Sequence, residues 1–261
     1  MCTLSVVTRE NGYLLAMNRD EKISRDLGLP PQSHELGRTR SIYPGDGAGG
    51  TWIAANDSGV TLALLNWNDD PQRALNPSAR SRGLVIPGLV ASRSLAEVRA
   101  ALTTMDLQGV SPFRLVGVFP LELEVWEWRW NSAEIDSKVH RWEPQHWFSS
   151  SVSDDQARNV RGAVCHRAWS EPDAGGAAWL QRLHASHENG PGPFSICVHR
   201  EDAQTLSYTE VACARSEVRL RHFAGSPCTL ESDSVKTLRL TNLELANLDL
   251  PLGKASPASK D

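Results

Sequence analysis

Apolar and polar positions alternate along the first twenty-one residues in two short runs, which predicts a β-hairpin. Residues 4–8 and 13–17 hold the apolar positions, and Glu10-Asn11-Gly12 lies between them. An Asn-Gly pair between two alternating segments is a strong hairpin signal. The second run ends in four polar residues, 18–21. Because a hairpin places the start of its first strand beside the end of its second, we expect Cys2 to lie close to these polar residues.

That placement indicates a candidate chemical role for Cys2, as a nucleophile. Removal of Met1 would make Cys2 the N-terminus, and a free α-amino group has a pKa of about 7.7–8.0, so it can serve as a base for the thiol. Arg19 would favour the thiolate or bind a substrate carboxylate, and Asp20 would orient the ammonium or the guanidinium. Alternatively, Cys2 is an ordinary small buried residue and the polar residues are a solvated strand end.

A second hairpin is predicted by residues 51–55 and 60–65, joined by a turn over residues 56–59. Its second strand ends at Asn66-Trp67-Asn68. Residues 22–50 lack any periodicity and are rich in Pro, Gly, Ser and Arg, which predicts either a binding loop or lid, or a surface excursion.

The middle of the chain predicts helices and then strands. Residues 82–92 and 95–102 have helical spacing, and Ser94 with Glu97 forms a capping box for the second helix. Residues 113–119, 121–130 and 138–142 read as strands. Trp126, Trp128 and Trp130 alternate, so they share one face, either as a ligand platform or as the packed inner face of a sheet.

The last third predicts two helices, residues 157–169 and 177–187, and strands at 194–199, 205–213 and 217–223. His184 and His187 lie three apart on the second of these helices, where a surface pair is a simpler interpretation than a metal site. His199 and Arg200 follow a predicted strand and either approach a pocket or occupy a turn.

Composition narrows the class of protein. A charged fraction of 22%, a formal net charge of −4 and the lack of a basic tract argue against a nucleic-acid surface. No apolar run approaches the roughly 20 residues that cross a bilayer, and no signal peptide is evident, so we expect no stable membrane insertion. The five cysteines show no CxxC or comparable metal spacing, which predicts reduced thiols in a cytoplasmic protein, with neither a disulfide framework nor a zinc site. We expect one domain over residues 1–248 and a poorly ordered tail over 249–261.

Three segments, MCTLSVV, MNRDE and GGTWIAAN, resemble the NRDE proteins, the family of transport and Golgi organisation protein 2. That family is similar to N-terminal-nucleophile hydrolases with a cysteine nucleophile, such as choloylglycine hydrolases and penicillin V acylases. The resemblance implies an α+β fold, a four-layer αββα sandwich of mainly antiparallel sheets.

The resemblance also implies roles for single residues. The catalytic candidates are Cys2, Arg19, Asp20 and Asn66. Asn66 ends an apolar strand where such enzymes place an oxyanion-hole Asn, although a turn-forming Asn is the alternative. The substrate-binding candidates are Asn18, Trp52, Trp67 and Arg200, and no metal ligand is assigned. Relatives have an Asn where this chain has Ser149-Ser150-Ser151, a departure that bears on amidase activity.

Two functions of different classes follow. The first is an N-terminal-cysteine amidohydrolase that acts on a nonpeptide C–N amide of a small molecule and needs no cofactor. The second is a non-catalytic carrier that binds haem, a lipid or an acyl-CoA in the same pocket, with Cys2, His199 or His222 as the axial ligand if haem is bound. A degenerate enzyme fold used as a scaffold is a third interpretation.

Overall fold

Two antiparallel β-sheets, packed face to face, form the centre of the molecule. The structure is a computed structural model that describes residues 1–68, 80–229 and 233–241. In chain order its strands are β1 (Cys2–Arg9), β2 (Gly12–Lys22), β3 (Leu29–Leu36), β4 (Thr39–Gly45), β5 (Ile53–Asn56), β6 (Thr61–Asn66), β7 (Phe113–Phe119), β8 (Glu124–Trp130), β9 (Ile135–His140), β10 (Gln145–Ser149), β11 (Ala203–Ala214), β12 (Glu217–Ala224) and β13 (Ser234–Arg239). The first sheet has the order β10-β1-β2-β11-β12-β13, and the second runs from β3 to β9 in sequence.

Helices cover the outer face of each sheet. The helices are α1 (Leu95–Thr104), α2 (Asp154–Ala168) and α3 (Ala177–His184). Buried side chains of α2 and α3 pack on the first sheet, whereas α1 packs on the second. A third apolar cluster fills the space between the sheets. The layers are therefore α, β, β, α, and the predicted α+β sandwich is confirmed.

The predicted first hairpin is confirmed. Cys2 pairs with Arg19 and Arg9 pairs with Gly12, so two residues connect the strands. Gly12 has φ +136°, and a Cβ there would lie 1.9 Å from the carbonyl oxygen of Cys213 on β11. A side chain at position 12 would therefore push apart the strands that hold the end of the hairpin in place.

Alternation along β1 and β2 decides which side chains meet which layer. Leu4, Val6 and Leu15 lie in the cluster between the sheets. Val7 and Ala16 lie in the cluster under α2 and α3. The same alternation continues to the candidate site residues at the end of the hairpin.

Three predicted elements differ from the structure. Residues 22–50 contain the hairpin β3–β4 rather than a loop; most of β3 is exposed at the sheet edge, so it shows no apolar period. The predicted helix over residues 82–92 is only a 3-10 turn, Arg82–Leu84, followed by further turns, because Pro87 and two glycines disfavour an α-helix. Residues 194–199 form no strand beyond a single bridge at His199.

The tryptophan row is a packed face, as the sheet-core interpretation predicted. Trp128 and Trp130 are buried in the cluster beneath α1. Trp126 stacks on Trp128 with ring centroids 6.0 Å apart and lies under the Arg99 guanidinium. These rings therefore stabilise the outer core of the second sheet.

The capping box that the sequence predicts for α1 is present in the structure. The Ser94 hydroxyl accepts from the Glu97 N–H at the start of α1, and Glu97 in return accepts from the N–H of Arg93. Ser153 caps α2 in the same way.

The edge strand β13 was not predicted, and the predicted tail, 249–261, lies outside the described residues. Across the parts of the chain that are described, no helix combines the length and the apolar character needed to cross a bilayer.

Candidate functional site

A cavity of about 390 Å³ lies at the end of the first hairpin. Four residues singled out in the sequence line it: Cys2, Arg19, Trp52 and Asn66. They come from β1, β2, the segment before β5 and the end of β6. The fold therefore brings both sheets together around the Cys2 thiol.

Arg19 is fixed against one wall of this cavity. Its guanidinium carbon lies 4.4 Å from the centroid of the Trp52 ring. Its Nη1 donates to the carbonyl oxygens of Asp26 at 3.2 Å and Leu27 at 3.4 Å. Burial lowers the pKa of Arg19, and Glu21 opposes that effect, but an arginine stays charged in proteins. The cavity thus contains a preoriented cation.

Asp20 lies on the other face of the same strand. Its carboxylate is fully buried beneath the helix layer, where Oδ1 accepts from the Thr205 hydroxyl at 2.6 Å. Oδ2 lies 3.7 Å from Nη2 of Arg161 and accepts no hydrogen bond from any residue the structure describes. Burial raises the pKa of Asp20, whereas Arg161 lowers it. Asp20 therefore acts from beneath the strand, not from inside the cavity.

Arg161 is a residue of this site that sequence reasoning missed. It lies on α2 with its side chain fully buried, and Nη1 donates to the Cys2 carbonyl oxygen at 3.1 Å and to the Thr3 hydroxyl at 2.8 Å. A signal was present: Arg161 lies between Ala157 and Val164 on the buried stripe of α2. A charge within an apolar helical stripe predicts a buried partner.

Met1 extends the β1–β2 ladder by one residue. Its N-terminal nitrogen donates to the Asp20 carbonyl oxygen at 3.0 Å, and its own carbonyl oxygen accepts from the Asp20 N–H at 3.0 Å. Its sulfur lies 3.3 Å from the Ser151 hydroxyl and 4.0 Å from Nη1 of Arg200. Burial raises the pKa of the Cys2 thiol, and the N-terminal ammonium opposes that effect. In the chain that bears Met1, Cys2 is therefore a neutral thiol whose nitrogen is an amide.

Asn66 and Ser149 are two further polar residues around Cys2: Asn66 lines the same cavity, and Ser149 lies on the strand that pairs with β1. Asn66 ends β6, and its carboxamide makes no hydrogen bond within the described residues. Ser149 pairs directly with Cys2, and its buried hydroxyl also has no partner there. Paired residues of antiparallel strands point to the same face, so this hydroxyl lies on the same side as the thiol.

Two substrate-binding candidates do not line the cavity. Asn18 is fully buried and donates to the carbonyl oxygens of His184 and Ile196, both at 2.9 Å. The Trp67 N–H donates to Pro112 at 3.4 Å, and its side chain is not part of the cavity wall. Asn18 thus ties β2 to α3 and to the segment before β11.

Arg200 lies in a turn, as one alternative predicted, because its N–H donates to the Ala203 carbonyl oxygen at 2.8 Å. It contacts Met1 rather than the cavity wall, and its guanidinium also pairs with Asp202 at 2.9 Å. Arg200 therefore reaches the side chain of Met1 and does not line the cavity that contains Asn66.

The three candidate haem ligands are separated by the fold. Cys2 lines the cavity. His222 is buried behind Trp52, with ring centroids 6.0 Å apart, and burial lowers its pKa to about 4, with a further contribution from Arg19. His199 lies in a different cluster, beside Cys197.

His184 corrects the predicted surface pair of histidines. It is fully buried, with Nδ1 3.0 Å from Oδ1 of Asn18 and Nε2 2.9 Å from the Ser5 hydroxyl. His187 lies beyond the end of α3 and contacts His199 instead. A helix that ends at His184 sends the two side chains to different surroundings.

Known proteins resemble this chain at two levels. Residues 1–169 match the family model described as Transport and Golgi organisation 2, and no curated protein matches. Penicillin V acylase from Agrobacterium tumefaciens is similar in structure, with a TM-score of 0.52 and 12% identity over 94% of this chain and 88% of that chain. The mutant C2A conjugated bile acid hydrolase from Clostridium perfringens gives a TM-score of 0.49 and 10% identity over 93% of this chain and 98% of that chain. The likeness to the acylase shows the fold alone, whereas the family model spans more than half of the sequence: the chain belongs to the Transport and Golgi organisation 2 family.

Proposed function

We propose that this protein is an N-terminal-cysteine amidohydrolase that cleaves a nonpeptide C–N amide after Met1 has been removed. The observation that carries the proposal is the register of the first hairpin, which pairs Cys2 with Arg19 at a cavity that Asn66 also lines. A nucleophile, a fixed cation and a carboxamide donor that makes no hydrogen bond to the described residues then surround one space.

Removal of Met1 supplies the missing base. The new α-amino group of Cys2 takes the thiol proton, and the thiolate attacks the amide carbonyl carbon. The carbonyl oxygen becomes an oxyanion, which the Asn66 carboxamide and a backbone N–H stabilise. The proton passes to the leaving amine as the C–N bond breaks, which leaves an acyl thioester on Cys2. Water, deprotonated by the α-amino group of Cys2, then attacks the thioester carbonyl carbon. The C–S bond breaks, the acid is released, and the proton returns to the Cys2 thiolate.

The charges beneath β1 support the new N-terminus. Oδ2 of Asp20 accepts no hydrogen bond within the described residues, so it is available to the ammonium that forms at Cys2. Arg161 already holds the Cys2 carbonyl oxygen and keeps the strand end in position while that ammonium gains and loses its proton.

Met1 removal also changes the surroundings of Arg200. The Met1 sulfur lies between Ser151 and Arg200, so its loss leaves space on the side of Cys2 that faces Arg200. We assign this space to part of the substrate and give Arg200 a role in binding it.

The charges of the cavity suggest the kind of amide. Among the described residues, four arginines line it, Arg19, Arg25, Arg80 and Arg82, against two carboxylates, those of Glu21 and Asp46. Arg80 is also paired outside the cavity with Asp106 at 2.7 Å. The excess of guanidinium groups favours an amide that bears an acidic group.

The test is a screen of acidic amides with protein whose intact mass shows that Met1 is absent. We expect release of the amine from at least one amide, loss of that activity in Cys2→Ala, and its retention in Cys165→Ser, a matched change of a buried cysteine on α2. Equal turnover by Cys2→Ala and wild type would exclude the thiol as the nucleophile.

The second candidate is a carrier of haem, a lipid or an acyl-CoA in the same cavity. It fits a chain that keeps Met1, because a carrier needs no base at Cys2. Titration with haemin distinguishes the two: a shifted Soret band that is lost in Cys2→Ala but kept in Cys165→Ser favours the carrier, and an unshifted band at micromolar protein counts against haem. All five cysteines are free thiols, which supports a reducing compartment such as the cytoplasm for either function.

A further inference from the structure

We propose that His187, Cys197, His199 and Cys228 bind one zinc ion, which fixes the chain segment that leads into β11. No residue of this set belongs to the cavity described above. The proposal is independent of the amidohydrolase function.

The four ligand atoms have the spacing of a tetrahedral site. All of them lie within 4.8 Å of one another. The Cys197 and Cys228 sulfurs are 3.8 Å apart, and Nε2 of His199 lies 3.5 Å from the Cys197 sulfur and 3.3 Å from the Cys228 sulfur. With Zn–S about 2.3 Å and Zn–N about 2.0–2.1 Å, a tetrahedron has S–S edges of about 3.8 Å and S–N edges of about 3.5 Å. These three distances match those edges, and the His187 ligand atom lies within 4.8 Å of the other three.

Three segments distant in sequence supply the ligands. Cys197 and His199 lie two residues apart, and their side chains approach each other, with the Cys197 sulfur 3.5 Å from Nε2 of His199. His187 follows the end of α3, and Cys228 lies in the 3-10 turn Pro227–Thr229. This separation explains why cysteine spacing along the sequence predicted no zinc site.

His187 gives an independent sign of a ligand. Its Nε2 is buried yet has no hydrogen-bond partner within the described residues, and its ring lies 5.0 Å from that of His199. A buried nitrogen without a partner is costly, and a metal bond would satisfy it. The exposed Cys228 provides a path for the ion from solvent.

The charge of the site also balances. One Zn²⁺ displaces a proton from each of the two thiols, and the resulting Zn(Cys)₂(His)₂ unit carries no net charge. A neutral unit suits a half-buried position.

A zinc ion here would hold a segment that no β-ladder holds. The Ile196 carbonyl oxygen accepts from Asn18, and the Val198 N–H donates to the Thr205 hydroxyl. That same hydroxyl donates to Asp20. Val198, which lies between the ligands Cys197 and His199, is therefore connected to the Asp20 carboxylate through the Thr205 hydroxyl. A metal ion bound here stabilises the surroundings of that carboxylate.

The test measures metal in the full-length chain. Wild type, Cys228→Ser and His187→Ala are dialysed against micromolar zinc and then against metal-free buffer under reducing conditions, and bound zinc is measured by mass spectrometry. The matched controls are Cys165→Ser and His166→Ala, both on α2. Cobalt titration of the wild type reports ligand type, because thiolate ligands give a near-ultraviolet charge-transfer band and tetrahedral geometry gives intense visible bands.

We expect about one zinc per chain in the wild type and in both controls, and a loss of metal affinity of more than about tenfold in each ligand variant. Wild type that retains no zinc, or ligand variants that retain as much as the controls, would overturn the proposal. So would a cobalt spectrum without thiolate bands, a result that does not depend on the folding of any variant. A Cys197–Cys228 disulfide that forms in place of metal binding would count against it equally.

Discussion

Arg161 and Asp20 form an ion pair that is fully buried, with 3.7 Å between Nη2 and Oδ2, directly beneath the strand that carries Cys2. Arg161 also holds the Cys2 carbonyl oxygen, so one guanidinium links the buried carboxylate to the backbone of the proposed nucleophile. The pair couples the stability of the fold to the geometry of the site.

Removal of Arg161 should therefore be strongly destabilising. Arg161→Met leaves the Asp20 carboxylate buried without its countercharge, and we expect a loss of about 3–5 kcal/mol in the free energy of unfolding, measured with urea. Arg158→Met is the control: Arg158 lies on the same helix in an exposed pair with Asp155, and its loss should cost about 0–1 kcal/mol. Similar losses in both variants would contradict a buried pair.

Asn18 should matter for stability rather than for catalysis. Asn18→Ala leaves the carbonyl oxygens of His184 and Ile196 without their donor, at a cost of about 1–3 kcal/mol each. We expect a clear fall in Tm with an unchanged KM once the protein is folded. A change in KM without a change in Tm would return Asn18 to the list of substrate contacts.

Asn66 should behave in the opposite way. Its carboxamide has no hydrogen bond to lose within the described residues, so Asn66→Ala should change the free energy of unfolding by no more than about 0.5 kcal/mol. Loss of an oxyanion donor should lower kcat about 100–1000-fold. If kcat of a cleaved amide stays within a few-fold of the wild type, Asn66 is only a strand terminator.

A buried chain of neutral imidazoles predicts acid sensitivity. His146 Nδ1 lies 2.8 Å from the Ser5 hydroxyl, which lies 2.9 Å from Nε2 of His184, and Nδ1 of His184 lies 3.0 Å from Oδ1 of Asn18. Burial lowers the pKa of His146 to about 4 and that of His184 to about 3. The unfolded chain binds these protons near pH 6.5 and the folded chain does not, so stability should be complete above pH 6.5 and fall as the pH drops toward 4.

The slope of stability against pH shows which histidines cause the loss. Each such histidine contributes roughly 1.4 kcal/mol per pH unit over this window. His146→Gln should therefore show a shallower loss of stability between pH 6.5 and 4 than the wild type does, whereas the exposed His166→Gln should not. A wild-type stability that is flat across this window would contradict the buried neutral state.

The alternation of β1 and β2 shows what the sequence could predict. A period of two and one Asn-Gly signal were enough to bring Cys2 close to Arg19 and Asp20. They did not give the exact register, because the residues that connect the strands are Glu10 and Asn11, and Gly12 already pairs with Arg9. The same period also puts Asp20 on the opposite face from Arg19, which follows from the pattern although the interpretation grouped them around the thiol. Local rules thus predict the hairpin and, applied strictly, the side on which each charge acts.

Such local rules do not predict contacts between residues that are far apart in the sequence. Arg161 and the cluster around Cys197 depend on helices and turns that reach the site from distant parts of the chain. The strand β3 shows no apolar period because most of its side chains face solvent. Residues 194–199 form a turn and bends, and the Asn18 carboxamide holds one of their carbonyl oxygens, that of Ile196. Tertiary contacts decide these segments, and their sequences alone do not.

The central claim is tested most directly by the state of the N-terminus. Intact mass is measured before and after brief treatment with limiting iodoacetamide at pH 7, and the label is located by peptide mapping in the processed chain and in a chain that keeps Met1. We expect Met1 to be absent from the purified protein and Cys2 to be labelled ahead of the other four cysteines, with that preference lost when Met1 is retained. Retention of Met1 in the natural protein, or a Cys2 no more reactive than Cys165, would contradict an activated N-terminal nucleophile and favour the carrier.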